Sequence, residues 1–490
     1  MRTPPSTVSR LAALAAAATL ASAGAHAVDI SGFVPGNIVI STVTATNGGA
    51  LDSASPITLR QFAVNASATL ATANGTLTLP QQPGANGVAI SGEYGSASEG
   101  LLQRSTDGRS LVLMGYGVNA AAFNTAPLAT YGTAALGQTT SLLPSQQTGT
   151  PVATVARVVA LIGADASIDT TTALTGVFNQ NNPRSVATVD GSAFYVSGQA
   201  SSKTDPTQGV AYATRGATTA TVIDNSTDTR VVSIVNNGSG STLYVSRDWN
   251  PPGSGGKNFS NVSALTNAGG GLPTSAAGLV TTHITPPASP NSLGGNNASI
   301  NLTAATANGV NNARIGSFVY VSPESYFFAS PTVLYVADSG QPKNGNANAA
   351  ALGEGGLQKW VFSNGSWSLA YDLVAGLNLV NNAGANAATP TAPGVTGLFG
   401  LAGQVVGGQV QLFATSYGLN ELSPSFLYAI NDDLNATSIG QVAGEQFSVL
   451  YTDPTGQMAI RGVALAPVPE PAPAVLMLGG LLMLARLRRR

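Results

Sequence analysis

An all-β fold is what the sequence predicts, and three features predict it. Through the body of the chain β-branched residues alternate with small polar ones, so apolar side chains recur with a period of two. Residue pairs that accept positive φ interrupt these runs: Asn74-Gly75, Asp107-Gly108, Asp190-Gly191, Asn364-Gly365 and Gly407-Gly408, with a looser version from Asn236 to Gly240. The strands that follow several of these turns resemble one another: Ala193-Phe194-Tyr195-Val196-Ser197, Thr242-Leu243-Tyr244-Val245-Ser246, Val333-Leu334-Tyr335-Val336-Ala337 and Gln411-Leu412-Phe413-Ala414-Thr415.

A second pair of strands follows several of them, as at 209–224, 357–373 and 425–452. Four strands per unit, stretched by insertions, is the pattern of a β-propeller blade. Units fall near residues 87–174, 183–224, 229–303, 314–373 and 394–451. Strands are left over at both ends: Ala459 to Leu465, and the runs at 37–42, 57–64 and 76–80. Pairing them completes a further blade and closes the ring, which removes exposed sheet edges. The expectation is six blades, or seven if the stretch 248–331 hides another; a pair of β-sandwiches or a β-helix is the rival architecture.

The two ends carry their own patterns. Arg2 and Arg10 flank a polar start, Leu11 to Ala23 is an uncharged apolar run, and Ala25-His26-Ala27 supplies a small-x-small cleavage site, so residues 1–27 read as a secretory leader. At the other end Pro469-Glu470-Pro471 precedes an uncharged stretch from Ala472 to Ala485, then Arg486, Arg488, Arg489 and Arg490. Proline breaks the preceding structure, and arginines hold the end of an apolar helix on the cytoplasmic side. Such a helix would rise only about 21 Å, which suits a temporary membrane stop.

These C-terminal residues resemble the PEP-CTERM sorting signal of Gram-negative bacteria. The resemblance implies a division into leader (1–27), body (28–466) and sorting signal (467–490). It also implies an exosortase and the secretion machinery as partners, a transient inner-membrane anchor, and release to the cell surface or exopolysaccharide matrix. The stretch Leu357 to Leu373 and Arg461-Gly462-Val463-Ala464 are also similar to secreted propeller proteins bearing such tails.

Composition narrows the chemistry. The chain has no cysteine and two histidines, His26 and His283, which excludes thiolate metal sites, disulfides, cysteine nucleophiles and a three-histidine zinc centre. Two of the 20 basic residues lie in the leader and four in the tail, leaving 14 against 22 acids, or −8 for a body cut after Pro471. Nucleic acid is not an expected partner of an acidic body. A serine triad would have to use His283, without a nucleophile-elbow motif, and no carboxylate pair is marked by its spacing. No cofactor and no metal is read: Asn431-Asp432-Asp433-Leu434-Asn435 offers oxygen ligands for Ca²⁺ but lacks calcium-loop spacing, so turn chemistry is the expectation.

The long insertions at 118–151, 248–262, 339–356 and 374–393 follow second or fourth strands and should emerge on one face, opposite the tight turns. Arg247-Asp248-Trp249 at that face is the candidate ligand site, because indole stacks on sugars while Arg and Asp bond hydroxyls. Trp360 and Trp367 are weaker candidates: Phe362 should face Trp367 across a hairpin, so packing accounts for that tryptophan without a ligand. The expected function is a non-enzymatic surface or matrix protein whose loop face binds glycan or another matrix component. A secreted polysaccharide hydrolase or lyase, or a purely structural component, is the alternative.

Overall fold

The computed structural model describes residues 29–96, 98–226, 228–236, 238, 240–249, 259–284, 323–339, 355–377, 379, 395–418, 424–453 and 455–470. Residues 1–27, where a leader is expected, and Pro471, Arg486, Arg488, Arg489 and Arg490 of the expected sorting signal lie outside them. Every strand pair named here is antiparallel. The first sheet has nine strands: β1 (Ile38–Thr44), β2 (Ala54–Val64), β3 (Ala71–Thr78), β4 (Ser91–Glu93), β5 (Gln103–Arg104), β6 (Ser110–Tyr116), β7 (Arg157–Gly163), β8 (Ile168–Leu174) and the last strand, β25 (Met458–Leu465). Four sheets of four follow: β9 (Pro183–Ala187) to β12 (Thr221–Asp224), β13 (Thr229–Asn236) to β16 (Leu279–His283), β17 (Pro323–Ser330) to β20 (Ser366–Leu373), and β21 (Val395–Val406) to β24 (Ser448–Thr452).

These sheets stand in a propeller arrangement. The first strand of each lies beside the first strand of the next: β9 by β13, β13 by β17, β17 by β21, and β21 by β25. β25 also adjoins β5, and β5 and β6 adjoin β9, so the circuit is complete. Residues from β5, β9, β13, β17, β21 and β25 together line one axial cavity of about 370 Å³. Closure uses the two chain ends, as the sequence leads one to expect: β1 pairs with β25, Ile38 opposite Leu465 and Thr44 opposite Met458.

The four similar sequence runs all fall in second strands, β10 (Ala193–Gly198), β14 (Ser241–Trp249), β18 (Val333–Asp338) and β22 (Gln409–Gly418). Each such strand has a neighbouring sheet on both faces, so both of its side-chain rows are apolar. In β10, Phe194 and Val196 pack with Val112 and Met114 of β6, whereas Tyr195 packs with Leu243 and Val245 of β14. In β18, Leu334 and Val336 pack with Val231 and Val262, and Tyr335 and Ala337 with Leu412 and Ala414 of β22. Burial on two faces gives the short continuous apolar runs; polar alternation belongs to the outer strands.

Connections after first and third strands define one rim and those after second and fourth strands the other. The first rim has the tight turns. Asn364 (φ 51) and Gly365 (φ 79) join β19 (Gly356–Ser363) to β20, and Gly407 and Gly408 join β21 to β22, as two-residue hairpins. Phe362 does face Trp367, with ring centroids 5.4 Å apart. Asn74-Gly75 corrects the expectation of a hairpin there: both residues lie inside β3, where the register with β2 shifts between Arg60–Thr76 and Phe62–Ala73. The pair forms a bulge opposite Gln61, whose Nε2 donates to the Asn74 carbonyl (3.1 Å). A bulge and a primed turn both use a glycine with positive φ, here +113° at Gly75, so the dipeptide alone does not distinguish them. The turn itself is made by Asn65, whose Oδ1 accepts from the Thr69 and Leu70 amides (2.8 and 3.0 Å).

On the other rim the β6–β7 connection is an ordered structure. Asn119 Oδ1 accepts from the Ala122 amide and caps α1 (Ala120–Thr125), Pro127 opens α2 (Pro127–Tyr131), and Phe123 is buried with Tyr116, Val118, Leu136 and Val155. Among the described residues no helix is long and apolar enough to cross a membrane.

Candidate functional site: a polar cleft on the long-connection face

The α1–α2 connection forms one wall of a cleft of about 620 Å³. Asp52 reaches it from the β1–β2 connection, Glu93 from the end of β4, Thr133 to Gln138 from the chain after α2, Gln180 to Asn182 from the β8–β9 connection, and Ser201 from the chain after β10. The lining holds carboxyl, amide and hydroxyl groups and no lysine or arginine.

A buried cation fixes one wall. Arg157 of β7 is fully buried, and its guanidinium donates to the carbonyls of Thr139 (2.8 Å), Val155 (2.9 Å), Phe178 (3.0 Å) and Asn181 (3.2 Å). It also lies 4.8 Å from the centroid of the Tyr116 ring. Backbone strain collects here: Asp52 (φ 63), Phe178 (φ 49) and Gln180 (φ 56) are all left-handed without being glycine. Such conformations persist only where surrounding bonds over-determine them, and they cluster at ligand sites.

Two buried carboxyl groups lie close together here: Glu93 lines the cleft, and Glu99 sits behind it. Glu93 is 7% exposed and Glu99 3%. Glu93 Oε2 accepts from the Gly137 amide, while its own amide donates to Glu99 Oε1 (2.5 Å). Tyr116 donates its hydroxyl to Glu99 Oε2 (2.8 Å). Burial pushes the Glu93 carboxyl up to about 9, reinforced by the charges of Glu99 and Asp52 and opposed by the Gly137 amide and Arg461. Burial also raises Glu99, against the pull of Arg461. Glu93 therefore keeps its proton at neutral pH and can donate a hydrogen bond into the cleft. Arg461 belongs to β25, so the cleft stands over the seam where the chain ends meet.

The candidate Arg247-Asp248-Trp249 lies elsewhere. β14 and β15 (Phe259–Asn267) put Trp249 opposite Phe259, at the long-connection end of β14. Arg247 points inward: it is 2% exposed and paired with Asp224 of β12. The side chains of Asp248 and Trp249 are outside what is described. Trp360 is core, its Nε1 donating to Gln358 Oε1 (3.1 Å). Asp432 departs from the expectation of turn chemistry. It is a fully buried residue of β23 (Phe426–Asp433) that accepts from Lys359 Nζ (2.7 Å) and from the hydroxyls of Tyr371 (2.7 Å) and Tyr335. Asp433 alone serves the turn, accepting from the Asn435 amide (2.9 Å).

Ser263 Oγ lies 2.9 Å from His283 Nδ1 across β15 and β16, but Ser263 has no exposed surface, so its hydroxyl is closed to a substrate. No group of three His, Cys, Asp or Glu residues is placed to hold a metal among the described residues.

Sequence reasoning missed Asp52, Glu93 and Gln180. The available signals were the Asn-rich run Asn179-Gln180-Asn181-Asn182 before a proline, and two glutamates six positions apart in a chain poor in charge.

No protein-family model and no curated protein matches the sequence. Among solved structures, apo AztD from Citrobacter koseri is similar at 11% identity and a TM-score of 0.31, with 87% of this chain and 98% of that one covered. The β-propeller domain of the Trilobed protease from Pyrococcus furiosus is similar at 8% identity and a TM-score of 0.29, with 81% of this chain and 80% of that one covered.

Proposed function

We propose that this chain is an exported six-bladed propeller that binds a neutral, hydroxyl-rich glycan in the polar cleft and works as a cell-surface or matrix protein without catalysis. Six blades follow if the nine-stranded sheet is divided at β4: β25-β1-β2-β3 is one blade, and β5-β6-β7-β8, bridged to it by β4, is the next. Export rests on the leader pattern of residues 1–27. Membrane retention and exosortase processing rest on Pro469-Glu470-Pro471 and the apolar and arginine residues beyond.

The observation that carries the ligand class is the lining: amides, hydroxyls and a proton-bearing Glu93, without a basic side chain to hold an anion. Trp249 ends its strand on the same face, where an indole could stack on a further sugar unit. Glu93 and Asp52 in one cleft also favour a second reading, glycoside hydrolysis with Glu93 as acid and Asp52 as base.

A glycan array probed with residues 28–466 tests both. Gln180→Ala should weaken the best ligand about tenfold, the cost of roughly one hydrogen bond. Affinity should fall as pH rises through about 9, because Glu93 then loses the proton it donates; Glu93→Gln keeps a donor and should remove that pH dependence. An array without a single binder defeats the reading, and release of reducing ends by the wild type but not by Glu93→Gln replaces it with the hydrolytic one.

A further inference from the structure

We propose that the tight-turn rim is a lipid-facing surface, so that the protein lies with this rim against a bilayer and its polar cleft turned away. Two observations meet on that rim. The first is the path of the chain after β25. Arg104 donates to the Ala466 carbonyl (3.4 Å), the Val468 amide donates to the Gly108 carbonyl (2.8 Å), and Arg109 pairs with Glu470 (2.7 Å). These contacts hold residues 466–470 across the β5–β6 turn, on the tight-turn side. The uncharged run begins at Ala472, only two residues on, a reach of at most about 7 Å. Any bilayer that accepts Ala472 to Ala485 is therefore next to this rim and distant from the opposite one.

The second observation is independent of the tail. Exposed apolar side chains sit at turns around the ring: Leu70 (63% exposed) between β2 and β3, Val189 between β9 and β10, Phe362 at the hairpin end of β19, and Val405 and Val406 (57%) at the hairpin end of β21. On the long-connection face the exposed large apolar residues among those described are Leu51, Leu128 and Leu143. Charges near the tight turns largely pair with one another, Asp107 with Arg109, Asp169 with Arg215 and Arg109 with Glu470. Asp165 and Asp190 bond their own turns through Ser167 and Ser192. Without a basic patch the rim cannot bind by attraction to anionic lipid. It meets the interface through apolar contact, weak alone and effective when the tail keeps it close.

The absence of cysteine makes the test direct. Single substitutions Leu70→Cys and Val406→Cys on the tight-turn rim, and Leu128→Cys and Leu143→Cys opposite, would carry an environment-sensitive fluorophore. The chain from Val28 to Arg490 would then be reconstituted into phosphatidylcholine vesicles containing spin-labelled lipid. The expected result is blue-shifted emission and at least threefold stronger quenching at positions 70 and 406 than at 128 and 143. In a chain ending at Pro467 the quenching at 406 should disappear. Equal quenching on both faces, stronger quenching at 128, or none at 70 and 406 overturns the proposal. So does shielding at 406 that depends on protein concentration without lipid, which assigns the rim to a second copy of the chain.

Discussion

Lys359 shows how this chain uses its few charges. Its ammonium, fully buried on β19, donates to Asp432 Oδ2 (2.7 Å), the Tyr371 hydroxyl (2.9 Å) and the Asp433 carbonyl (2.6 Å), so all three donors are used. Asp432 belongs to the next sheet. Arg230 and Glu324 repeat the arrangement between β13 and β17 with bonds of 2.7 and 2.9 Å from one guanidinium nitrogen. Breaking such a pair leaves a buried charge without its partner: Lys359→Met should lower stability by about 3–5 kcal/mol in urea titration, and Lys359→Met with Asp432→Leu should recover part of the loss. The carboxyls supply a second expectation. Burial raises Glu93 to about 9, Glu445 to about 8 and Asp372 to about 7. Each holds a proton in the folded chain that the unfolded chain releases above about pH 4–5. The stability they carry is full below that pH and declines as pH rises toward each folded value. The thermal midpoint should therefore fall between pH 5 and pH 9, and Glu93→Gln should fall less; a midpoint that rises over this range would contradict the assignment.

At the scale of strands, β25 is the element on which most depends. It pairs β1 on one side, adjoins β21 and β5, and brings Arg461 within reach of the Glu93 carbonyl behind the cleft. A chain ending at Asp453 should lose cooperative unfolding and aggregate through the bare edge of β1, whereas one ending at Pro467 should stay soluble. Size-exclusion chromatography with calorimetry distinguishes the two. This element was readable in advance, because Ala459 to Leu465 is an apolar run without a neighbour in sequence to pair with. The second strands were readable for a related reason: Phe194, Leu243, Leu334 and Leu412 repeat because each is pressed between two sheets. The bulge at Asn74-Gly75 was not, since the same dipeptide serves two backbone geometries and only the partner strand decides. The cleft was not readable either. Asp52, Gln138, Gln180 and Ser201 come from four separate connections and Glu93 from the end of β4, and no local spacing announces residues that a ring brings together. Asp432 misled for the opposite reason, because Asn431 to Asp433, the start of a polar run that suits a turn by composition, belong to β23, where Asp432 is buried in the interior.

For the whole molecule, the ring has its polar cleft at one opening and exposed apolar turns at the other, while its first and last described strands meet at a single seam. Gly462 donates its amide to Ser41 Oγ across 421 positions of sequence. A contact of that span is among the last the chain can form, since its loop entropy must be met before it gives anything back. The strand that completes the circle is also the last described strand, ending at Leu465 just before Pro469-Glu470-Pro471. For a chain synthesised in order from its N-terminus, β1, β2 and β3 must wait, with one edge bare, until nearly everything else has been made. Completion of the fold thus reports completion of synthesis through β25: a chain interrupted anywhere before Met458 exposes an unpaired edge of β1 that a protease or chaperone can recognise, and β25 hides it.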